Sequence, residues 1–357
     1  MSTKRLAVVC NYVLRADRIG GMDRFFVAYD KAAKNIGYEV DWFFPDVLDK
    51  TFYEGATIFS AEGNTSVEAF FLNHLQENEK TYTALVTHFT ELCTPFYKRA
   101  KQAGRIKNLI AVDHNPRPLN GFSLKKQLKK RVKGFLYHNY ITRFIGVSSY
   151  SAKCLVQDFG GQIASKTGVI HNGIDVDLFI IKNDIRGESK FLVASHLRKE
   201  KAIIDLIRAI NSIKIEGVRV DIFGEGPEEE NIKNEVVKLG LEDTIELKGS
   251  VSNLHNIYRE YDYLIQPSKA ETFGLSVIES LISNVPVITT ERSGNILGEI
   301  SQGINGYLFR EGDYLALGKH IQEIIDGNKR IETTNFEILK NKYSLDRMVA
   351  EHINLLD

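Results

Sequence analysis

The chain has 357 residues, 43% hydrophobic and 26% charged, with 46 basic side chains balanced by 46 acidic ones. That length is too great for one hydrophobic core and fits two α/β lobes of roughly 170 residues each, while the composition excludes a disordered, collagenous or low-complexity chain. Zero net charge gives no overall pull toward nucleic acid, no run approaches the ~18 apolar residues that span a bilayer, and the about five apolar residues before Asn11 are too few for a secretory signal core.

Cys10, Cys93 and Cys154 stand far apart without metal-ligand spacing, so they are expected to be reduced, buried thiols of a cytoplasmic protein. Short apolar runs alternate with helical patterns along the whole chain, the signature of parallel sheets joined by right-handed crossovers. In the first half the expected strands are Leu6–Cys10, Val40–Phe44, Ala84–Thr87, Leu109–Val112 and Phe144–Val147, with helices at Asp23–Asn35 and Pro95–Ala103. Their apolarity is continuous rather than alternating, as in strands covered on both faces.

The first βα connection carries Gly20-Gly21 just before a helix. Glycines there let backbone approach a diphosphate or a transferred sugar, although a plain tight turn explains them equally well. They form no G-x-G-x-x-G fingerprint, so a nicotinamide dehydrogenase has no motif support. His114 follows a strand, at the carboxyl end where open α/β sheets bind ligands.

From Lys98 to Lys133 twelve Lys or Arg side chains face one acid, Asp113, a local charge of +11 in a neutral protein. Leu124, Leu128, Val132, Phe135 and Leu136 lie among them at helical spacing. This reads as a basic amphipathic helix over residues 123–136 that can rest on an anionic membrane surface, or as a solvated helix packing its apolar side on the core. No aromatic-studded motif accompanies the basic residues, which argues against nucleic acid.

After His171-Asn172-Gly173-Ile174-Asp175 the pattern restarts. Strands are expected at Phe191–Ala194, Val218–Phe223, Thr244–Leu247, Tyr263–Gln266 and Val285–Thr289, and helices at Ile203–Ile213, Glu228–Leu239, Asn253–Tyr258 and Gly274–Ile282. A polar stretch containing Lys182, Asn183, Asp184, Arg186, Gly187 and Glu188 places a hinge near residues 173–188. The expected domains are 1–175, 176–340 and a C-terminal amphipathic segment, 341–357, packing back on the first lobe.

The most informative stretch is Gln266-Pro267-Ser268-Lys269-Ala270-Glu271-Thr272-Phe273-Gly274-Leu275-Ser276-Val277-Ile278-Glu279, which runs strand, loop, helix. Gly274 opens the helix, so unpaired backbone N–H groups of Phe273, Gly274 and Leu275 suit an anion such as a diphosphate. The helix end contributes only ~0.3–1 kcal/mol per exposed charge, so cationic side chains must assist. At about 100° per residue Glu279 falls some 40° from Leu275, at the edge of the buried stripe. There it can accept from neutral hydroxyls such as those of a ribose, or pair with an Arg or Lys of its own lobe.

Glu271 and Glu279 around Phe273-Gly274 resemble the E-x7-E motif of family-four retaining glycosyltransferases of the GT-B fold, also described as glycosyl transferases group 1. The resemblance implies two Rossmann-like lobes with parallel sheets facing a central cleft and a C-terminal helix crossing back to the first lobe. It also implies that Glu271 faces the donor sugar, Glu279 the ribose, and the Phe273–Leu275 amides the phosphates. Val169–Asp175 with Phe179 resembles the family's interlobe segment, and His114 resembles its first-lobe histidine near the donor sugar. Phe223-Gly224-Glu225-Gly226-Pro227 is similar to its strand-ending glycine loop, and Lys248-Gly249-Ser250-Val251 to the loop that reads the base.

One stretch departs from the pattern. The family carries Gly-Arg-Leu-x-x-x-Lys-Gly where this chain has Ser195-His196-Leu197-Arg198-Lys199-Glu200-Lys201-Ala202. Lys201 keeps its position, His196 stands for the arginine and both glycines are lost, so either a protonated His196 serves, or Arg198 or Lys199 reaches in from the loop, or transferase activity is weakened.

The catalytic candidates are therefore His114, Lys201 and Glu271. The donor-binding candidates are Gly20, Gly21, His196, Arg198, Gly224, Lys248, Gly249, Phe273, Gly274, Leu275 and Glu279. The resemblance implies a nucleotide-sugar donor, UDP favoured, a glycan or lipid-linked acceptor, no metal and no other cofactor. The reduced thiols place the chain in the cytoplasm, and the basic helix allows a peripheral position at the inner membrane face. A non-catalytic sugar-nucleotide binder and an epimerase or hydrolase on the same fold are the rival readings.

Overall fold

The computed structural model describes residues 4–15, 19–61, 63–78, 80–104, 106–118, 120–183, 190–213, 217–291, 298–331 and 333–356. Two compact units result. Met1–Gly173 with Leu345–Asp357 forms the first, and Ile174–Ser344 the second. Of the hinge residues read from sequence, Asp184, Arg186, Gly187 and Glu188 lie outside the described residues, as does Arg105 of the basic run.

The first unit contains the strands β1 (Lys4–Cys10), β2 (Tyr38–Phe44), β3 (Thr57–Ser60), β4 (Ala84–His88), β5 (Asn108–Asp113), β6 (Arg143–Gly146) and β7 (Thr167–Val169). All pair in parallel, in the order β3-β2-β1-β4-β5-β6-β7. Its helices are α1 (Gly21–Asn35), α2 (Val67–Asn78), α3 (Pro95–Ala103), α4 (Leu124–Tyr137) and α5 (Ser149–Phe159).

Side chains alternate across each strand, so Ala7, Val9, Phe43, Leu85, Leu109 and Ala111 pack on one face with Phe71, Phe96 and Leu155. Leu6, Val8, Trp42, Val86 and His88 point the other way and are also buried. Burial on both faces is why these strands read as unbroken apolar runs.

The second unit has β8 (Lys190–Ala194), β9 (Arg219–Phe223), β10 (Ile245–Gly249), β11 (Tyr263–Gln266), β12 (Val287–Thr290) and β13 (Gly306–Phe309), parallel in the order β10-β9-β8-β11-β12-β13. Its helices are α6 (Ile203–Ile213), α7 (Glu229–Lys238), α8 (Leu254–Ile257), α9 (Leu275–Ile282), α10 (Tyr314–Ile325) and α11 (Phe336–Lys342). In each sheet the strand order reverses once, between β1 and β4 and between β8 and β11. In open α/β sheets ligands bind outside the strands' carboxyl ends at such reversals.

The last helix, α12 (Leu345–Ile353), returns to the first unit and packs on α1. Its Met348, Val349 and His352 are buried, and the Tyr38 hydroxyl donates to the carbonyl of Leu356 at 3.2 Å. Lys182 is pinned within the second unit, where its ammonium meets buried Asp262 at 2.8 Å and its backbone N–H bonds the Ser283 carbonyl.

Candidate functional site

The loop leaving β8 is held from below by the loop leaving β9. Ser195 N–H bonds the Phe223 carbonyl at 3.0 Å, and Leu197 N–H bonds the Glu225 carbonyl at 2.9 Å. A Cβ on Gly224 would lie 1.9 Å from the Ser195 carbonyl oxygen, and one on Gly226 would lie 2.4 Å from that of Leu197. The two glycines are therefore what allows the backbones to approach so closely. Gly224 N–H also bonds the Gly249 carbonyl at 2.8 Å, joining the end of β10 to the same layer.

The β8 loop ends in a short turn, Lys199–Lys201, closed by Ala202 at φ 52°. The Lys269 N–H bonds the Glu200 carbonyl at 2.7 Å and ties this turn to the loop leaving β11. Lys201 and Glu271 meet there as a partly buried ion pair, with 19% and 11% of their side chains exposed. The Gln266 amide and the Ser268 hydroxyl donate to the same Glu271 oxygen, Oε1, at 3.3 and 3.1 Å. Thr289 donates to Gln266 Oε1 at 3.2 Å, which orients that amide, and Thr290 holds the Ser268 carbonyl at 2.7 Å. With Oε1 committed to three donors, Oε2 of Glu271 remains as an acceptor.

Gly274 then turns the chain into α9 at φ 70° and ψ 55°, a left-handed conformation that strains any other residue. The first turn of α9 contains no acid. Val277 N–H bonds the Gly274 carbonyl, and among the described residues the amides of Leu275 and Ser276 have no protein acceptor. Phe273 is buried edge-on against Tyr343, with ring centres 5.7 Å apart. One turn further, half-buried Glu279 accepts a 2.7 Å hydrogen bond from the fully buried Tyr258 hydroxyl. Burial raises the Glu279 pKa, and that hydrogen bond opposes the rise in part. The alternative of an Arg or Lys partner for Glu279 does not occur among the described residues.

The remaining second-unit candidates sit apart from the pair. His196 is half-buried two residues beyond β8. Arg198 is exposed, 3.8 Å from Glu200, and lines a hollow with Lys199, Asp205, Arg208 and Glu228. Lys248 reaches Glu246 at 2.5 Å, and Gly249 adopts φ 69°. Sequence reading missed Tyr258 as the partner of Glu279 and Thr289 as the group that orients Gln266. Nothing in their spacing signals either role.

In the first unit, Gly20 N–H bonds Oδ2 of Asp23 at 2.7 Å. Asp23 is wholly buried and also accepts from the Tyr12 and Tyr53 hydroxyls. The Gly20-x-x-Asp23 spacing is a capping pattern that the sequence does display. Neither glycine is required by the protein's own packing. Gly20 has φ −107°, a Cβ on it would come no closer than 3.4 Å, and one on Gly21 would come no closer than 4.0 Å. His114 is half-buried beyond β5, its Nε2 3.0 Å from Nδ1 of His88 and its ring stacked on Phe89 at 4.2 Å. Burial pushes its pKa down to about 3.

The basic helix has its apolar side outward. Leu124, Leu128, Val132, Phe135 and Leu136 of α4 are 83%, 67%, 49%, 75% and 53% exposed. Gly134 is its one buried residue and seats it on α5, where a Cβ would lie 2.0 Å from the Phe159 carbonyl oxygen. The count of twelve cations overstates the free charge. Arg117 pairs with Asp113 and Asp158, Lys130 with Asp158, and Lys133 with Glu91. No helix among the described residues is long and apolar enough to cross a membrane, and none of their acidic, His or Cys side chains group in a way that could hold a metal. All three cysteines are buried free thiols.

Residues 177–336 match the sequence profile of the family described as glycosyl transferases group 1. The poly(glycerol-phosphate) alpha-glucosyltransferase of Bacillus subtilis is 30% identical over 134 residues, 37% of this chain and 20% of that protein. An uncharacterized glycosyltransferase of Methanocaldococcus jannaschii is 30% identical over 232 residues, 62% of each chain. The matches thus span less than two thirds of these curated relatives' own length. Among solved structures, Anabaena HepE in complex with UDP has the same fold over 99% of both chains, with a TM-score of 0.79 at 19% identity. Residues 177–336 thus resemble the glycosyl transferases group 1 family, and the two parallel-sheet Rossmann-like units give the chain the GT-B fold.

Proposed function

We propose that this chain is a retaining, metal-independent glycosyltransferase. It moves a hexose or N-acetylhexosamine from a nucleotide diphosphate sugar, UDP favoured, to a hydroxyl of a glycan or lipid-linked acceptor in cell-surface polysaccharide or glycolipid synthesis. The observation that carries this reading is the Lys201–Glu271 pair at the carboxyl ends of β8 and β11, beside the open start of α9. A diphosphate there has the Lys201 ammonium and the Leu275 and Ser276 amides as donors. Aimed at the oxygen on which charge builds as the glycosidic bond breaks, they lower the barrier. Glu271 Oε2 accepts from a sugar hydroxyl and Glu279 from the ribose. In the first unit, Gly21 and His114 are the candidates for contact with a ligand.

The relatives bear on the substrates. One is named for glucosyl transfer to poly(glycerol-phosphate), and the neighbouring structure was solved with UDP. The outward apolar stripe of α4, flanked by Lys125, Lys129 and Arg131, favours an acceptor presented at an anionic lipid surface.

The test is turnover of a panel of nucleotide sugars with glycan and lipid-linked acceptors, with product anomer read by NMR and a chelator arm for metal. Lys201→Ala and Glu271→Ala are each expected to lower the rate by about 10²–10³. Donor binding without turnover for any acceptor, and indifference to Glu271→Ala, would identify a non-catalytic binder. Donor consumption without acceptor would identify a hydrolase or epimerase.

A further inference from the structure

β4 and β5 bring two histidines together at their carboxyl ends. His88, the last residue of β4, is fully buried among Phe25, Phe26 and His352. Its Nδ1 lies 3.0 Å from Nε2 of His114, while its own Nε2 is buried with no hydrogen-bond partner among the described residues. The His352 ring stacks on it at 6.0 Å and makes no bond to it, its own Nδ1 being 2.8 Å from the Met348 carbonyl oxygen. The His114 ring is gripped a second time by Phe89, stacked 20° from parallel. Phe89 itself holds φ 58°, a left-handed conformation that strains a bulky residue and persists only where the surroundings enforce it.

Burial keeps both imidazoles neutral, so each carries one proton and a single proton lies between Nδ1 of His88 and Nε2 of His114. If His114 donated it, His88 would carry its own proton on Nε2, as a buried N–H without an acceptor. If His88 donates it, the orphan is a bare lone pair. Orphaned buried N–H groups are the rarer and costlier defect.

We propose that His88 is a positioning residue that locks His114 in its Nδ1–H tautomer, so that His114 offers an N–H donor to a ligand oxygen at its open edge. This deepens the proposed function and rests on its reading of His114 as a ligand-facing residue. It assigns His114 the role of hydrogen-bond donor to an oxygen, such as a sugar hydroxyl, and withdraws Nδ1 as a base.

The test uses the full chain labelled with ¹⁵N-histidine and long-range ¹H–¹⁵N correlation, which distinguishes protonated from bare ring nitrogens. His114→Gln assigns the signals. In the wild type, His114 is expected to show a protonated Nδ1 and a bare Nε2. His88→Asn, whose amide can still donate, should retain that pattern and keep kcat within about threefold. His88→Leu should lose the pattern and lower kcat on the order of tenfold or more.

A wild-type spectrum with Nε2 of His114 protonated overturns the proposal, as it would if a buried water accepted from His88 Nε2. A pattern unchanged in His88→Leu overturns it as well. The wild-type spectrum decides even if His88→Leu does not fold. Should His114→Gln leave turnover intact while the tautomer is fixed as stated, the lock stands and the functional role of His114 falls.

Discussion

The buried Tyr258 hydroxyl and the half-buried Glu279 carboxylate form a pair, 2.7 Å apart, against which no cation stands among the described residues. Burial is the larger influence on Glu279 and raises its pKa. The folded chain therefore binds this proton more readily than the unfolded chain does. The group's stabilising contribution is complete below the unfolded value and is lost as pH rises through the folded one. Ionising the carboxylate therefore costs stability, which fits a group kept for a partner outside the chain. Glu279→Gln should melt above the wild type at about pH 7.5, and the gap should close toward about pH 4. The same variant should lose part of the thermal shift produced by nucleoside diphosphates. A gap that widens on acidification would contradict the assignment.

Ala202 stands where the resemblance places a glycine and holds φ 52°, a left-handed conformation that glycine adopts without strain. A left-handed L-residue costs roughly 1–2 kcal/mol, and glycine's extra backbone entropy returns about 0.5–1 of it. Ala202→Gly should stabilise the chain by about 0.5–1 kcal/mol in urea titration, since the N–H to Lys199 and the carbonyl contact with Asp205 N–H are both kept. Gly274→Ala is the opposite case: at φ 70° it should cost about 1 kcal/mol or more. Equal effects at the two positions would show that the two turns are not both left-handed.

Gly21 separates fold from function. Its Cβ would meet nothing closer than 4.0 Å, and it stands at the first position of α1, where alanine is the better helix former. Gly21→Ala should leave the melting temperature unchanged or slightly raised and yet reduce turnover, if the glycine exists to let a ligand approach the backbone. Asp23 already occupies the Gly20 amide, so Gly21 is the more telling of the two. Full activity in Gly21→Ala would assign both glycines to the turn alone.

Of the strands that sequence reading found, all but β10 lie inside their sheets, whereas those it missed are edges. β1, β4, β5, β8 and β11 lie inside their sheets, need apolar side chains on both faces, and announce themselves as unbroken runs. The missed strands β3, β7 and β13 are all edges. Thr57–Ser60 is largely half-exposed, and Thr167-Gly168-Val169 offers one apolar side chain. The same rule governs the site. Glu271 and Gly274 could be singled out because the strand, loop and helix around them show in local spacing, and Lys201 because the stretch around it resembles the family's. Tyr258 reaches Glu279 across 21 positions and His88 reaches His114 across 26, through contacts that only the packing creates. The amphipathic pattern of α4 was visible, but its orientation was not. Gly134 decides it, because only glycine fits against the Phe159 carbonyl.

That orientation makes α4 the most direct test of where the chain works. Fully burying a leucine or phenylalanine side chain is worth about 1.5–3 kcal/mol, so an apolar stripe this exposed is costly to leave in water. Arg131 on one flank and Lys125 and Lys129 on the other add roughly 1 kcal/mol each near an anionic surface. Co-sedimentation with phosphatidylglycerol vesicles should therefore be strong at low salt, weaker at high salt, and weak with neutral phosphatidylcholine. Leu128→Glu with Phe135→Glu should abolish it without lowering the melting temperature, because neither side chain packs on the core: they are 67% and 75% exposed. Lys125→Gln with Lys129→Gln should remove most of the salt dependence and leave a residual, charge-independent affinity. Binding that ignores lipid charge, or that survives the double glutamate variant, would reject a lipid surface as the partner of this helix.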